Sequence, residues 1–247
     1  FRSYKLLDPT KKHLRVVPEL EEFVPDAKTI LCFVPVLTTA TWYRAVQPFV
    51  QVNIKHKEKY NVIFSTWLEA APAIHKRTIP FDYQCAIFKG QDSAEALHAM
   101  QALKKSGIKI IYETDDDLFN IPSWNPVASK VTSSSKHVIK QMIKAADHLV
   151  VSTQPLKELY SWWHAPSSID VIPNGVDLDL FGRYAKTSYP TDKVVIGWTG
   201  AAAHLEDLRI IKDVITKLLE DHSNVTFLLG GWLDSPFFND IPEDRII

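Results

Sequence analysis

The sequence has almost no net charge, because 28 Lys and Arg residues against 29 Asp and Glu residues leave −1 at pH 7. This balance excludes bulk electrostatic attraction to nucleic acid or to an anionic membrane as the main function, and no nucleic-acid partner is expected. The sequence also lacks an apolar run of transmembrane length and a signal-peptide pattern at its start. A cytoplasmic protein is therefore expected, with peripheral membrane association left open.

Cysteine is scarce as well. The two cysteines, Cys32 and Cys85, both lie in apolar runs of strand length, and no Cys/His cluster has the spacing of a zinc site. They are interpreted as two buried thiols in a reducing compartment.

The 247 residues contain short, unbroken apolar runs that alternate with helical patterns. Such runs predict strands of a parallel sheet that is covered by helices on both faces. The expected strands of the first sheet are residues 30–36, 61–64, 84–88, 108–113, 148–152 and 169–172.

This alternation predicts an α/β protein with two Rossmann-like domains. After an irregular lead-in of residues 1–29, the first domain takes residues 30–177, a linker residues 178–193, and a second domain begins at residues 194–247. The last segment contains two strands and one helix, which cannot bury both faces of a sheet. We therefore expect that the chain is a fragment and that a missing C-terminal region completes it.

Two phrases of the sequence carry a family resemblance. AADHLVVSTQPLKELY ends the first domain, and IDVIPNGVDLDLF follows it before the strand VVIGWTG. Together they resemble the end of the first domain and the hinge of retaining glycosyltransferases with the GT-B fold. TTATWYRAVQP resembles the first loop of one subgroup, which ends in Tyr-Arg with a proline four residues after the Arg.

The resemblance implies two domains that face each other across a cleft, with the acceptor on the N-terminal domain and most of the nucleotide sugar on the C-terminal domain. The nucleotide sugar is then a co-substrate, no other cofactor is needed, and a divalent cation is not expected. The acceptor could be a glycan, a lipid or a protein.

Unusual polar residues collect after the predicted strands, where open α/β sheets bind ligands. Tyr43, Arg44, Thr153, Asn174 and Gly175 are the substrate-binding candidates there, together with Asp115. Arg44 could bind a phosphate or a carboxylate as a bidentate donor, or be a solvated helix residue. Asn174-Gly175 is a turn pair for which a hinge role is favoured. The alternative is that the glycine simply supplies a positive φ.

Asp115, Asp116 and Asp117 follow the strand of residues 108–113. Asp115 and Asp117 have the Asp-x-Asp spacing with which metal-dependent GT-A transferases hold a cation. Similar DDDL(W/F) phrases occur in the GT-B subgroup, so Asp116 and Asp117 are interpreted as catalytic carboxylates that face the acceptor or act as a base. The structural alternative is that one or two of them cap the following turn.

Gly197, Thr199 and Gly200 precede the second-domain helix, where backbone N–H groups could bind a diphosphate. His204 is the histidine best placed to join them. No other basic residue lies between Lys193 and Arg209, although the family pattern places an Arg and a Lys near this loop. A tight β–α turn without a ligand is the alternative.

The sequence thus predicts a glycosyltransferase that moves a sugar from a nucleotide sugar to an acceptor hydroxyl. Retention of the anomeric configuration and independence of a metal are implied only by the resemblance. Three alternatives stay open: a metal-dependent transferase that uses Asp115 and Asp117, a non-catalytic glycan-binding or assembly module, and a sugar-nucleotide epimerase with this fold.

Overall fold

The computed structural model describes residues 23–34, 38–65, 82–182 and 192–231 together with Arg245. The chain divides into two compact units. The first contains the described residues up to Phe119 and Ser133–Asp179, and the second contains Asn120–Thr132 and the described residues from Leu180 onward. This division into units does not test the predicted domain boundaries, which stay predictions.

The described part of the first unit forms a six-stranded parallel sheet of order β2-β1-β3-β4-β5-β6. All six strands coincide with predicted apolar runs. The strands are β1 (Lys28–Phe33), β2 (Tyr60–Ser65), β3 (Tyr83–Lys89), β4 (Lys109–Thr114), β5 (His148–Val151) and β6 (Ile169–Val171). β1 begins at Lys28, inside the predicted lead-in of residues 1–29. Residues 1–22 of that lead-in, and residues 35 and 36 of the first predicted strand, lie outside the described part.

Helices cover both faces of this sheet, as the unbroken apolar strands predict. The sequence of helices is α1 (Thr39–Thr41), a π turn (Trp42–Val46), α2 (Gln47–Lys55), α3 (Ala94–Lys105), α4 (Ser133–Ala145) and α5 (Gln154–Tyr160). Alternate strand residues such as Phe88 and Tyr112 pack with α3, α4 and α5. Ile87 and Ile111 face the other way and pack with the π turn and α2.

The order of the sheet reverses at β1, whose neighbours are β2 and β3. The connections from β1 and from β3 leave toward opposite faces, so a crevice opens at the carboxyl ends of these strands. This topological switch point is where a ligand of an open α/β sheet is expected.

The second unit holds a separate pair of parallel strands, β7 (Val194–Gly200) and β8 (Val225–Gly231). α7 (Leu205–Asp221) joins them and buries Leu208, Ile215 and Leu219 against Phe227. The segment predicted as a linker, residues 178–193, contains α6 (Leu178–Gly182), so its first residues are helical rather than irregular. None of the helices in the described ranges is long and apolar enough to cross a bilayer.

Asp147 joins three elements at the amino edge of the first sheet. Its Oδ2 accepts from the Ile110 N–H at 2.8 Å, its own N–H donates to the Ile110 carbonyl at 2.8 Å, and its Oδ1 lies 3.0 Å from Lys104 Nζ. Burial by itself raises the pKa of Asp147, but the Ile110 N–H bond and Lys104 outweigh it and lower the pKa below its usual value. Asp147, in the Ala-Asp pair of the family phrase, therefore has a structural role: it links β4, α3 and the start of β5.

We expect Asp147→Asn to destabilise the protein by about 1–2 kcal/mol at pH 7, because the charge-assisted bond to Ile110 is weakened. A carboxylate with a lowered folded pKa stabilises the fold above its unfolded pKa of about 3.9, and this stability is lost as the pH falls through the folded pKa. Urea unfolding at pH 7 and below pH 4 measures both effects, and the difference from wild type should shrink in acid. Asp170→Asn, which removes an exposed pair with His148, is the matched control and should change little. An equal effect of both variants at pH 7 would contradict the structural role of Asp147.

Two adjacent glycines at the end of β8 have different surroundings. Gly231 has φ +115, and a Cβ on it would lie 2.0 Å from the carbonyl oxygen of Gly200, whereas a Cβ on Gly230 would meet Thr199 at an ordinary 3.5 Å. We expect Gly231→Ala to cost about 2–4 kcal/mol through strain and the backbone clash. Gly230→Ala should be tolerated, and urea unfolding measures both variants. Similar losses of stability for the two variants would show that the backbone contact between Gly231 and Gly200 does not restrict this position.

Candidate functional site

Four charged side chains meet at the carboxyl ends of β3 and β4, beside the switch point of the first sheet. Arg44 Nε donates to Glu113 Oε1 at 2.6 Å, Lys89 Nζ lies 3.0 Å from Glu113 Oε2, and Lys89 Nζ lies 2.5 Å from Asp115 Oδ1. We call Arg44, Glu113, Lys89 and Asp115 the buried quartet. Its charges alternate in sign along this chain of contacts.

The quartet is almost excluded from water. The side chains of Arg44, Glu113 and Lys89 are 3%, 6% and 6% exposed, and that of Asp115 is 14% exposed. Asp115 is therefore the member through which the group reaches the surface. Burial raises the pKa of Glu113, and the charges of Lys89 and Arg44 act against that rise.

The strand register explains why the charges meet. Lys89 and Glu113 are direct partners in the parallel pair of β3 and β4, and residues two apart on a strand share a face. Lys89 therefore follows Ile87, and Glu113 and Asp115 follow Ile111, on the face that α2 covers. The apolar face of the sheet under α2 therefore ends in charged side chains at the carboxyl ends of β3 and β4.

Arg44 reaches the quartet from the π turn that precedes α2. Pro48 lies four residues after Arg44, and in a regular α-helix its ring would clash with the Arg44 carbonyl and could not donate to it. The chain widens here instead, so that the Gln47 N–H donates to the Trp42 carbonyl, which is a typical geometry at functional sites. Arg44 is buried with Ala45 and Val46 of the same turn.

Arg44 also holds the segment that follows β6. Its Nη1 donates to the Ile172 carbonyl and to Asn174 Oδ1, the latter at 3.2 Å. One guanidinium therefore connects the turn after β1 with β4 and with residues 172–174. The sequence analysis named Arg44 and Asn174 as separate candidates, and the structure brings them together.

The backbone of the aspartate triplet is anchored from two sides. Ser152 Oγ donates to the Asp115 carbonyl at 3.2 Å, and the Tyr160 hydroxyl donates to the Asp116 carbonyl at 2.6 Å. Burial raises the pKa of Tyr160 to about 12, so it stays a neutral donor. The Asp116 side chain is exposed at the carboxyl edge, while Asp117 Oδ1 accepts from the Phe119 N–H at 3.0 Å. Asp117 therefore caps the following turn, which was the structural alternative, and its catalytic role stays a prediction.

The other first-unit candidates lie at the same edge but outside the quartet. Thr153 is the N-cap of α5, where its Oγ1 accepts from the Leu156 N–H at 3.4 Å, and Tyr43 is half-buried in the π turn. Gly175 is exposed, is not among the glycines with positive φ, and has open space around a built Cβ. The alternative that Gly175 supplies a positive φ is therefore excluded, and its hinge role stays a prediction.

The expected diphosphate loop is partly strand. Gly197, Thr199 and Gly200 pair with Leu228, Gly230 and Gly231 within the β7–β8 ladder, and a Cβ on Gly200 would lie 2.4 Å from the Trp198 ring. His204 precedes α7 and its Nδ1 lies 2.8 Å from Asp207 Oδ2. The first turn of α7 carries Glu206 and Asp207, whose negative charge opposes a diphosphate at this helix N-terminus. Donor binding here stays a prediction.

Lys89 and Glu113 are the site residues that the sequence analysis missed. The signal was present, since each is a charged residue at the end of an otherwise apolar strand. Only the register of β3 and β4 shows that the two charges are neighbours.

Sequence comparison with family models and with curated proteins gives no match. Comparison of the fold finds a putative UDP-N-acetylglucosamine 2-epimerase from Listeria monocytogenes, with a TM-score of 0.59 and 13% identity over 89% of this chain and 68% of that one. Alr3699/HepE from Anabaena in complex with UDP-glucose has a TM-score of 0.51 and 15% identity over 88% and 67%. UDP-GlcNAc 2-epimerase from Neisseria meningitidis bound to UDP-GlcNAc has a TM-score of 0.50 and 14% identity over 88% and 69%.

The TM-scores show that these proteins share a fold with this chain, and at such low sequence identities they show the fold alone. The chain has a GT-B-like α/β fold, which confirms the predicted fold class, and it spans about two thirds of the length of these structures. The placement in the retaining group stays a prediction.

We expect Arg44→Met to destabilise the protein by about 3–5 kcal/mol, because removal of one member of a buried ion pair leaves the other charge uncompensated. Arg44→Lys should recover only part of the loss, since an ammonium cannot reproduce the planar fork that serves Glu113 and residues 172–174. Urea unfolding measures both. Arg209→Met removes an exposed pair with Glu206 and should cost about 0.5 kcal/mol or less. A cost for Arg44→Met as small as that of the control would show that the quartet does not hold this edge of the sheet.

Proposed function

We propose that the protein is a glycosyltransferase that moves a sugar from a nucleotide sugar to an acceptor hydroxyl. The observation that carries the proposal is the buried quartet, which holds the carboxylate of Asp115 at the carboxyl edge of the first sheet. Ligands of open α/β sheets bind at this edge. A group of charges that is costly to bury is a candidate functional site when it lies there.

The comparisons support a nucleotide sugar as the donor. One of the similar structures is a complex with UDP-glucose and another is bound to UDP-GlcNAc. The resemblance of the hinge phrase to retaining GT-B enzymes assigns the donor to the second unit and implies that the anomeric configuration is retained. Cytoplasmic location follows the same resemblance and the sequence analysis.

Asp115 and Asp116 are the residues proposed to contact the acceptor. Asp115 is held by Lys89, and Asp116 is exposed on a backbone that Tyr160 anchors. Carboxylate oxygens accept hydrogen bonds from sugar hydroxyls, and Asp116 is placed to take the proton of the attacking hydroxyl as a general base. Asp117 contributes by shaping the turn.

Lys89 supports a mechanism without a divalent cation. Its ammonium lies 2.5 Å from Asp115 Oδ1 and compensates the carboxylate that would otherwise be half of an Asp-x-Asp metal site. Asp117, the other half, accepts from the Phe119 N–H. In the metal-dependent alternative a divalent cation would compete with the Lys89 ammonium for the Asp115 carboxylate.

An epimerase is the second candidate, because one of the three similar structures described above is a UDP-GlcNAc 2-epimerase and another is described as a putative one. The two activities differ in one requirement. A transferase consumes the donor only when an acceptor hydroxyl is present, whereas an epimerase converts the nucleotide sugar alone.

We expect a panel of nucleotide sugars to include one that binds in EDTA, by calorimetry, and that is consumed in the presence of an acceptor. Asp116→Asn should lower kcat about 100- to 1,000-fold through loss of the base and leave the donor Kd unchanged. Asp170→Asn, in β6 and outside the site, is the control and should match wild type. The longest natural form of the protein is used.

Three outcomes would redirect the assignment. Conversion of the donor without an acceptor supports the epimerase. Donor binding only with added Mn²⁺ supports the metal-dependent transferase. Glycan binding without any turnover supports a binding module.

A further inference from the structure

Glu113 lies at the centre of the quartet and cannot contact a substrate. Its side chain is 6% exposed, and its two oxygens lie 2.6 Å from Arg44 Nε and 3.0 Å from Lys89 Nζ. The side-chain contacts of Glu113 within the quartet are therefore with these two cations.

Each cation transmits the position of Glu113 to a different part of the candidate site. Lys89 places its ammonium on Asp115 Oδ1, which is the partly exposed carboxylate of the quartet. Arg44 binds the Ile172 carbonyl and Asn174 Oδ1 beyond β6. Glu113 is the anion that these two arms share.

Neutralising Glu113 changes the balance of the site in a defined way. Arg44 and Lys89 would then face each other as two buried cations without the anion that separates them. Asp115 would then be the only anion of the quartet left beside Lys89. Repulsion between the Arg44 and Lys89 cations would displace Lys89. The carboxylate of Asp115 would move with Lys89.

We propose that Glu113 is a positioning residue of the acceptor site, which fixes the Asp115 carboxylate through Lys89 and residues 172–174 through Arg44. The proposal rests on the proposed function for its kinetic consequence, and its physical part stands on the contacts alone. A displacement of about 1 Å at a reacting group costs about 100-fold in rate, so a residue that touches no substrate can control turnover.

A double-mutant cycle with full-length protein tests the route through Asp115. Glu113→Gln keeps the size of the side chain and removes its charge, and it should lower kcat about 10- to 100-fold while the donor Kd stays unchanged. In an Asp115→Asn background the same change should lose most of its effect on kcat, because the carboxylate that Glu113 positions through Lys89 is already lost, and the effect that remains measures the arm through Arg44. Glu58→Gln, on an exposed turn, is the matched control and should have no effect in either background. A full effect of Glu113→Gln in the Asp115→Asn background would overturn the proposal.

Thermal unfolding of the same variants separates this inference from the proposed function. The Tm losses of Glu113→Gln and Asp115→Asn should be non-additive by about 2–4 °C, whereas Glu113→Gln and Asp147→Asn, which lies at the opposite edge, should be additive. Non-additive Tm values with a wild type that transfers no sugar would reject the transferase and keep the link between Glu113 and Asp115. Additive Tm values in the first pair would reject the link. If Glu113→Gln does not fold, Glu113→Asp keeps the charge on a shorter arm, and most of its kcat loss must likewise disappear in the Asp115→Asn background.

Discussion

Burial of alternating charges at one edge of a sheet is the constraint on which this site depends. Arg44, Glu113, Lys89 and Asp115 are each tolerated out of water because the next member lies within 3.0 Å. Replacement of the group by apolar residues would satisfy packing more simply, so the fold gains little stability from keeping it. What the charges provide is geometry: the turn after β1, the ends of β3 and β4 and the segment after β6 must all be in place before the group is complete. The site and this edge of the fold therefore form together.

The two edges of the first sheet use carboxylates for different purposes. At the amino edge, Asp147 accepts a backbone N–H and pairs with Lys104, and its lowered pKa reflects a carboxylate that serves the fold. At the carboxyl edge, Asp115 is bound by a lysine that is itself shared with Glu113. A carboxylate bound to backbone has its hydrogen bonds satisfied by the fold, whereas one bound to a single ammonium keeps acceptor capacity on its exposed side. This contrast favours Asp115 over Asp147 as a ligand-binding group, although both follow or precede apolar strands.

The strands, their parallel order and the helices between them follow from local periodicity, which is why the fold class could be predicted. Much of the site could not, because its contacts join distant residues: Arg44 and Asn174 are 130 positions apart, and Lys89 meets Glu113 only through the register of β3 and β4. Local patterns also left alternatives open that only the structure separates. Asn174-Gly175 suits either a hinge or a turn with positive φ, and Gly175 does not have a positive φ, while Arg44 donates to Asn174 Oδ1. Pro48 predicts an irregular helix start but not that the irregularity aims Arg44 inward.

The first helical turn of α7, in the second unit, is unfavourable for binding a diphosphate. A helix N-terminus attracts a diphosphate through its unpaired N–H groups and partial positive charge, but α7 presents Glu206 and Asp207 in that turn. His204 is already bonded to Asp207, and Arg209 to Glu206. These pairs oppose the field that a diphosphate needs, so neutralisation of a bound donor must rely on cations other than those of this turn. In the first unit, by contrast, two cations and two anions are fixed against one another within hydrogen-bonding distance. The first unit is therefore the part of this chain with a defined charged site, which supports its proposed role in binding the acceptor.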